Sequence, residues 1–174
     1  MIFGLFRRDP HRVLIDRLHA EIVAAARQPA LYRAYGVADT LDGRFELLAL
    51  HAGLLLRRLA AAPAPGPAVA QGLSNEVFAN FDAGLRETGV SDIGVPKKMK
   101  KFAEAFLGRN AAYEKAMAEG DDALRAALAR NVYAGAGDAA RLTRYVRSTV
   151  ERLDALAPEA LGREASFIPP DSIA

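Results

Sequence analysis

The chain has 174 residues, 51% hydrophobic and 25% charged, the composition of one globular domain rather than a disordered segment. It contains no cysteine, which excludes disulfide frameworks, thiolate metal sites and cysteine nucleophiles. The formal charge is only +2, and no stretch approaches the ~20 uninterrupted apolar residues of a membrane-spanning helix.

The first residues, Ile2, Phe3, Leu5 and Phe6, precede Arg7 and Arg8. A secretory signal has the opposite order and a longer apolar run, so a cytoplasmic protein is expected. This short run either folds back onto the body of the protein or touches a membrane surface, and its brevity favours folding back. Asp9 and Pro10 form a helix start, and Val13, Leu14, Leu18, Ile22 and Ala26 follow at helical spacing until Pro29. A short segment over 30–35 and a loop over 36–43 come next. From 42 to 61, leucines occupy most of the circumference, which predicts a central, buried helix. Residues 62–67, Ala-Pro-Ala-Pro-Gly-Pro, read as an interhelical loop and a weak seam between two subregions.

A third long helix is predicted over 68–88, with Val77, Phe78, Phe81 and Leu85 on one face. A turn over 89–94 follows, and Pro96 opens a helix that Gly120 ends. Asp121 or Asp122 caps a helix to about 133, and residues 135–138 turn into a last helix ending near 156. The tail over 166–174 is expected to be extended. No internal repeat is present, and no segment alternates with the period of a strand. The expected fold is all-α, a single compact domain over 1–174 of six or seven helices in two packed layers.

Enzyme chemistry finds little support. His11, His19 and His51 lie on scattered segments without metal-ligand spacing, and His51 on its leucine-rich helix reads as a core residue. No glycine-rich phosphate cradle occurs, nothing organises a nucleophile, and no cofactor or metal is expected. The informative stretch is instead Lys97, Lys98, Lys100 and Lys101, four of the chain's five lysines, placed at the start of a helix. Cations at that end oppose the helix dipole, and Lys97 and Lys101 repel one another across one turn. Projected at helical spacing, Met99, Phe102, Ala103, Phe106, Asn110 and Tyr113 form a stripe toward the core. Lys97, Lys101 and Gly108 fall opposite, with Arg109 at the edge of the stripe. A basic rim beside an apolar surface suits a polypeptide or a membrane.

Several runs together carry a family resemblance: Leu-Arg-Glu-Thr-Gly-Val-Ser-Asp at 85–92, Val-Pro-Lys-Lys-Met-Lys-Lys at 95–101, Phe-Leu-Gly-Arg at 106–109, and Tyr113. Upstream, Tyr32, the Asp-Thr-Leu-Asp-Gly-Arg-Phe-Glu run at 39–46 and Leu50-His51 fit the same pattern. The chain resembles the ubiquinol–cytochrome c chaperone family over about 32–120. The resemblance implies a helical, non-enzymatic assembly factor for the cytochrome bc1 complex, acting on newly made cytochrome b, without cofactor or ATP site. Mitochondrial members work with a small partner protein at the ribosome exit. This chain lacks their long targeting and anchoring extension and looks like a bacterial relative.

The expected client-binding residues are Arg86, Glu87, Asp92, Lys97, Lys98, Lys100, Lys101, Phe102, Phe106, Arg109 and Tyr113. Expected partners are cytochrome b, an anionic membrane surface at the inner face of the cytoplasmic membrane, and a ribosome contact; DNA is not expected. Two rivals are an RNA- or ribosome-binding helical module built on the same lysines and an isoprenoid-type all-α enzyme. The second needs facing acidic pairs, which the sequence does not supply.

Overall fold

The second long helix of the chain, α3 (Leu41–Ala60), is the element around which the others pack in the computed structural model, which describes residues 10–87 and 91–173. Thr40 begins it by accepting a hydrogen bond from the Gly43 backbone at 3.1 Å. Its leucines at 47, 50, 54, 55 and 59 are all buried, because α1 (Pro10–Ala26), α4 (Gly66–Glu87), α5 (Gly94–Glu119), α6 (Asp121–Val132) and α7 (Ala140–Ala155) each cover part of it. A five-residue helix, α2 (Pro29–Arg33), leads into the loop before α3. The all-α class and the helix count read from the sequence are therefore found. No described helix is long and apolar enough to cross a membrane. The N-terminal run of Ile2, Phe3, Leu5 and Phe6, with the Asp9 cap, lies outside the described residues.

Several boundaries differ from the sequence reading for physical reasons. Gly66 and Pro67 belong to the first turn of α4, where a missing proline N–H costs nothing. A side chain at Gly66 would collide with the carbonyl of Leu59, so the loop closes α4 tightly onto α3. Residues 62–67 are thus a compact connection, and one hydrophobic cluster draws on all seven helices of the described residues. Helix α5 opens at Gly94, two residues before Pro96, because the Ser91 carbonyl accepts from the backbone of both Gly94 and Val95. The cap expected of Asp121 or Asp122 is replaced by Gly120, whose φ of 124° suits glycine alone, while Asp121 pairs with Arg147 at 2.7 Å.

The tail is not free. It forms two 3-10 turns, Pro158–Ala160 and Pro170–Ser172, and packs back on the bundle. The Tyr35 hydroxyl donates to the Pro170 carbonyl at 2.7 Å, and Arg141 reaches the Ile173 carbonyl at 2.7 Å while lying over the Tyr35 ring.

His51 is fully buried in α3, as its leucine surroundings predict. One ring nitrogen, Nδ1, lies 2.7 Å from the Leu47 carbonyl, which only accepts, so Nδ1 carries the proton; Nε2 then accepts from the Tyr145 hydroxyl at 2.8 Å. Burial pushes the His51 imidazole down to about 4, despite the Leu47 hydrogen bond, and holds it neutral. An unfolded chain protonates the same group near pH 6.5, so stability is complete above that pH and falls as the pH drops toward 4, by about 3 kcal/mol. Urea unfolding at stepped pH measures this slope. His51→Gln should lower stability at pH 7 by about 1–3 kcal/mol through lost buried hydrogen bonds, yet show a shallower decline between pH 6.5 and 4 than the unsubstituted chain.

Candidate functional site

The aromatic stripe of α5 fixes which of its residues face outward. Phe102 stacks on Phe81 of α4 with ring centroids 3.6 Å apart, and meets Phe78 of α4 and Phe45 of α3 edge-on at 5.2 and 5.3 Å. Phe106 lies 5.5 Å from Phe78. Phe102, Phe106 and Tyr113 are all buried, so they are withdrawn from the expected client-binding set. Their role is to glue α5 to α3 and α4, because burying aromatic area contributes more than any contact they would make at the rim.

The opposite face of α5 is left to solvent. Lys97, Lys98, Lys100 and Lys101 are all exposed. Lys100 approaches Glu104 at 3.9 Å, and among the described residues the other three make no ion pair. Since the helix begins at Gly94, Lys97 closes its first turn and Lys98, Lys100 and Lys101 lie beyond it, where the dipole has largely faded. The expected conflict is therefore smaller than the sequence reading implies, and mutual repulsion is its main component. Gly108, on the same face, has open space where a side chain would stand.

Arg86 links the end of α4 to this surface. Its guanidinium donates to Asp82 at 2.7 Å and to Asp92 at 2.6 Å, spanning the turn between α4 and α5. Both carboxylates are solvent-facing, so the ties orient the turn and stabilise it little. Asp92 thus has a structural partner. Glu87 is exposed and, among the described residues, pairs with neither a lysine across the turn nor any other cation.

Arg109 does something the sequence does not reveal. Its Nε and Nη2 clasp the carboxylate of Glu46 on α3 at 2.7–3.0 Å, and Glu46 is only 5% exposed. These hydrogen bonds raise the Arg109 guanidinium further above its ordinary value. Burial, with the nearby Glu46 charge, likewise pushes the Tyr113 hydroxyl up. The pair forms one side of an open cleft of about 810 Å³, closed by Thr40, Asn131 and Tyr133. Sequence runs carrying the family resemblance, 39–46 and 106–113, thereby meet across α3 and α5. Nothing in spacing alone joins Glu46 to Arg109, since they are 63 residues apart.

Among the described residues, the three largely exposed large apolar side chains, Leu41, Ile93 and Leu107, are 81%, 92% and 62% accessible. None was singled out from the sequence. Projecting Leu107 off the phenylalanine stripe of α5 would have found it.

Comparison with known proteins gives a consistent picture. The family described as ubiquinol-cytochrome C chaperone matches residues 33–166. Among solved structures, the crystal structure of the Cbp3 homolog from Brucella abortus is 39% identical, covers 100% of both chains and superposes with a TM-score of 0.86. No curated protein matches the chain.

Two stability outcomes separate surface from scaffold. Changing Lys97, Lys98, Lys100 and Lys101 together to glutamine should leave the melting temperature unchanged or slightly raised, because repulsion is relieved. Arg109→Ala should cost about 2–3 kcal/mol, near the lower end for breaking a buried pair, because it strands the Glu46 carboxylate. Glu46→Gln should cost only about 1 kcal/mol, since the freed guanidinium can hydrate. Thermal unfolding of the three variants checks this ordering.

Proposed function

The chain belongs to the ubiquinol-cytochrome c chaperone family, and from that membership we propose that it binds unassembled cytochrome b during assembly of the cytochrome bc1 complex, without catalysing a reaction of its own. The observation that carries this reading is the lysine face of α5, whose charges the fold does not use. Cytochrome b consists of apolar membrane helices joined by polar ends. A helper for such a client needs a surface that meets those ends while the rest of the fold stays closed. Lys97, Lys98, Lys100 and Lys101 supply that surface, with Arg86, Asp92 and Glu87 along its edge. Arg109 contributes as a positioning residue, through its grip on Glu46 beside the cleft.

Such a client places the protein at the inner face of the cytoplasmic membrane as a peripheral component. Ribosome contact and a small partner protein remain proposals that rest on the family alone. The RNA-binding rival draws on the same lysines, but the aromatic side chains it needs are occupied. Phe81 stacks on the buried Phe102 and Phe78 meets Phe102 edge-on, so these rings are engaged with one another rather than set out as platforms for bases. For the isoprenoid-enzyme rival, Asp121 is engaged with Arg147 rather than facing a second acidic pair.

Crosslinking in native membranes followed by purification tests the proposal, with cytochrome b expected as the dominant adduct. Glu87→Gln and the lysine-to-glutamine set should lower its yield several-fold while circular dichroism remains helical. Wild-type yields from both variants would place the client elsewhere on the molecule.

A further inference from the structure

We propose that the outward face of α5 docks directly on an anionic lipid bilayer, with Ile93 and Leu107 entering the headgroup region and Lys97, Lys100 and Lys101 meeting lipid phosphates. Single exposed leucines are ordinary and carry no argument. Here two of the three largely exposed large apolar side chains among the described residues, Ile93 and Leu107, share the face that bears Lys97, Lys100 and Lys101. At 100° per residue, Ile93, immediately before α5, and Lys97, Lys100, Lys101, Glu104 and Leu107 on it fall within an arc of about 120°. That arc lies opposite Phe102 and Phe106, which anchor the helix to the core.

Phe45 of α3 meets both Phe81 and Phe102 beneath this face, which fixes the side of α5 that is turned outward. Glu104 shares this face and pairs loosely with Lys100 at 3.9 Å, which leaves Lys97 and Lys101 in excess there, and Gly108 adds no side chain to it.

The combination selects lipid over an acidic polypeptide. An acidic loop would satisfy the lysines but leave Ile93, at 92% exposure, in water. A bilayer interface accepts both at once: polar headgroups receive the ammonium groups while the long lysine stems and the Ile93 and Leu107 side chains reach the acyl boundary. The arrangement resembles neither a spanning helix nor a lipid anchor, and predicts reversible, salt-sensitive attachment. It deepens the chaperone reading, resting on it for the place of work but not for the chemistry of the contact.

Flotation of the full chain with vesicles tests it. Binding is expected to phosphatidylcholine vesicles containing phosphatidylglycerol, weakening as salt rises, and absent with phosphatidylcholine alone. Lys97, Lys100 and Lys101 changed to glutamine should each weaken partitioning about fivefold, so the three together should lose about two orders of magnitude. The pair Ile93→Ser and Leu107→Ser keeps every charge and touches no buried residue; it should lose about tenfold with the salt dependence unchanged. Equal binding to both vesicle types, or binding indifferent to the serine pair, overturns the proposal; indifference leaves an acidic polypeptide as the better occupant. Crosslinking to cytochrome b in detergent, where no bilayer exists, keeps the two readings apart. Crosslinks without vesicle binding sink the lipid contact alone. Vesicle binding without crosslinks sinks the client alone and leaves this proposal standing.

Discussion

Phe102 lies among four other phenylalanine rings from three helices, and this packing sets the orientation of α5 about its own axis. A helix of 26 residues with low overall hydropathy has little else to define which side faces the core. Once Phe102 stacks on Phe81 and Phe106 follows one turn later, the lysines must emerge on the far side. Rotating α5 by one residue would bring Lys101 toward Phe45 and Phe81, burying an ammonium without a partner, at a cost far above that of any surface ion pair. The chemistry of the exposed face is thus a consequence of the aromatic interlock beneath it.

The Glu46–Arg109 pair adds a second, more local constraint on the same helix. A carboxylate as enclosed as Glu46 is tolerated only because the guanidinium answers both its oxygens, and this fixes the register between α3 and α5 along their length. Gly53, further along α3, works in the same direction: a side chain there would collide with the Asn110 amide, so its absence lets the two helices approach closely. Aromatic packing sets the rotation of α5, while the ion pair and the glycine set its depth and register.

Most of the architecture was legible in the sequence because helical periodicity and the breakers at 29, 62–67, 89–94 and 120 are local signals. The burial of His51 was also legible, since leucines on both sides of it leave no solvent-facing route. What escaped was non-local. The partnership of Glu46 with Arg109 depends on two helices crossing, and a basic residue at the edge of an aromatic stripe looks the same whether it points to solvent or to a buried acid. The assignment of Phe102, Phe106 and Tyr113 to a binding surface failed for a related reason. Helical spacing turns their stripe toward the core, but only the partners on α3 and α4 show that Phe102 and Phe106 are covered. Ile93 was missed because it lies in a turn, where periodicity is silent.

Arginine and lysine divide the work in this protein along chemical lines. Arg57, Arg86, Arg109, Arg125, Arg147 and Arg152 each hold a carboxylate, and Arg58 and Arg141 hold backbone carbonyls at the ends of helices and in the tail. The planar guanidinium suits this, since it can bind two acceptors in a fixed geometry. Lysine, a hydrated point charge on a flexible stem, is a poor structural tie, and the chain's few lysines form only the loose helical pairs with Glu104 and Glu119. The consequence reaches the function. Arginines engage much of the acidic complement within the fold, including Asp82 and Asp92 beside α5, which leaves Glu87 and the loosely paired Glu104 to face the four lysines. A chain of net charge +2 therefore presents a concentrated positive field at one end, and a partner approaching from solution meets that field rather than the average.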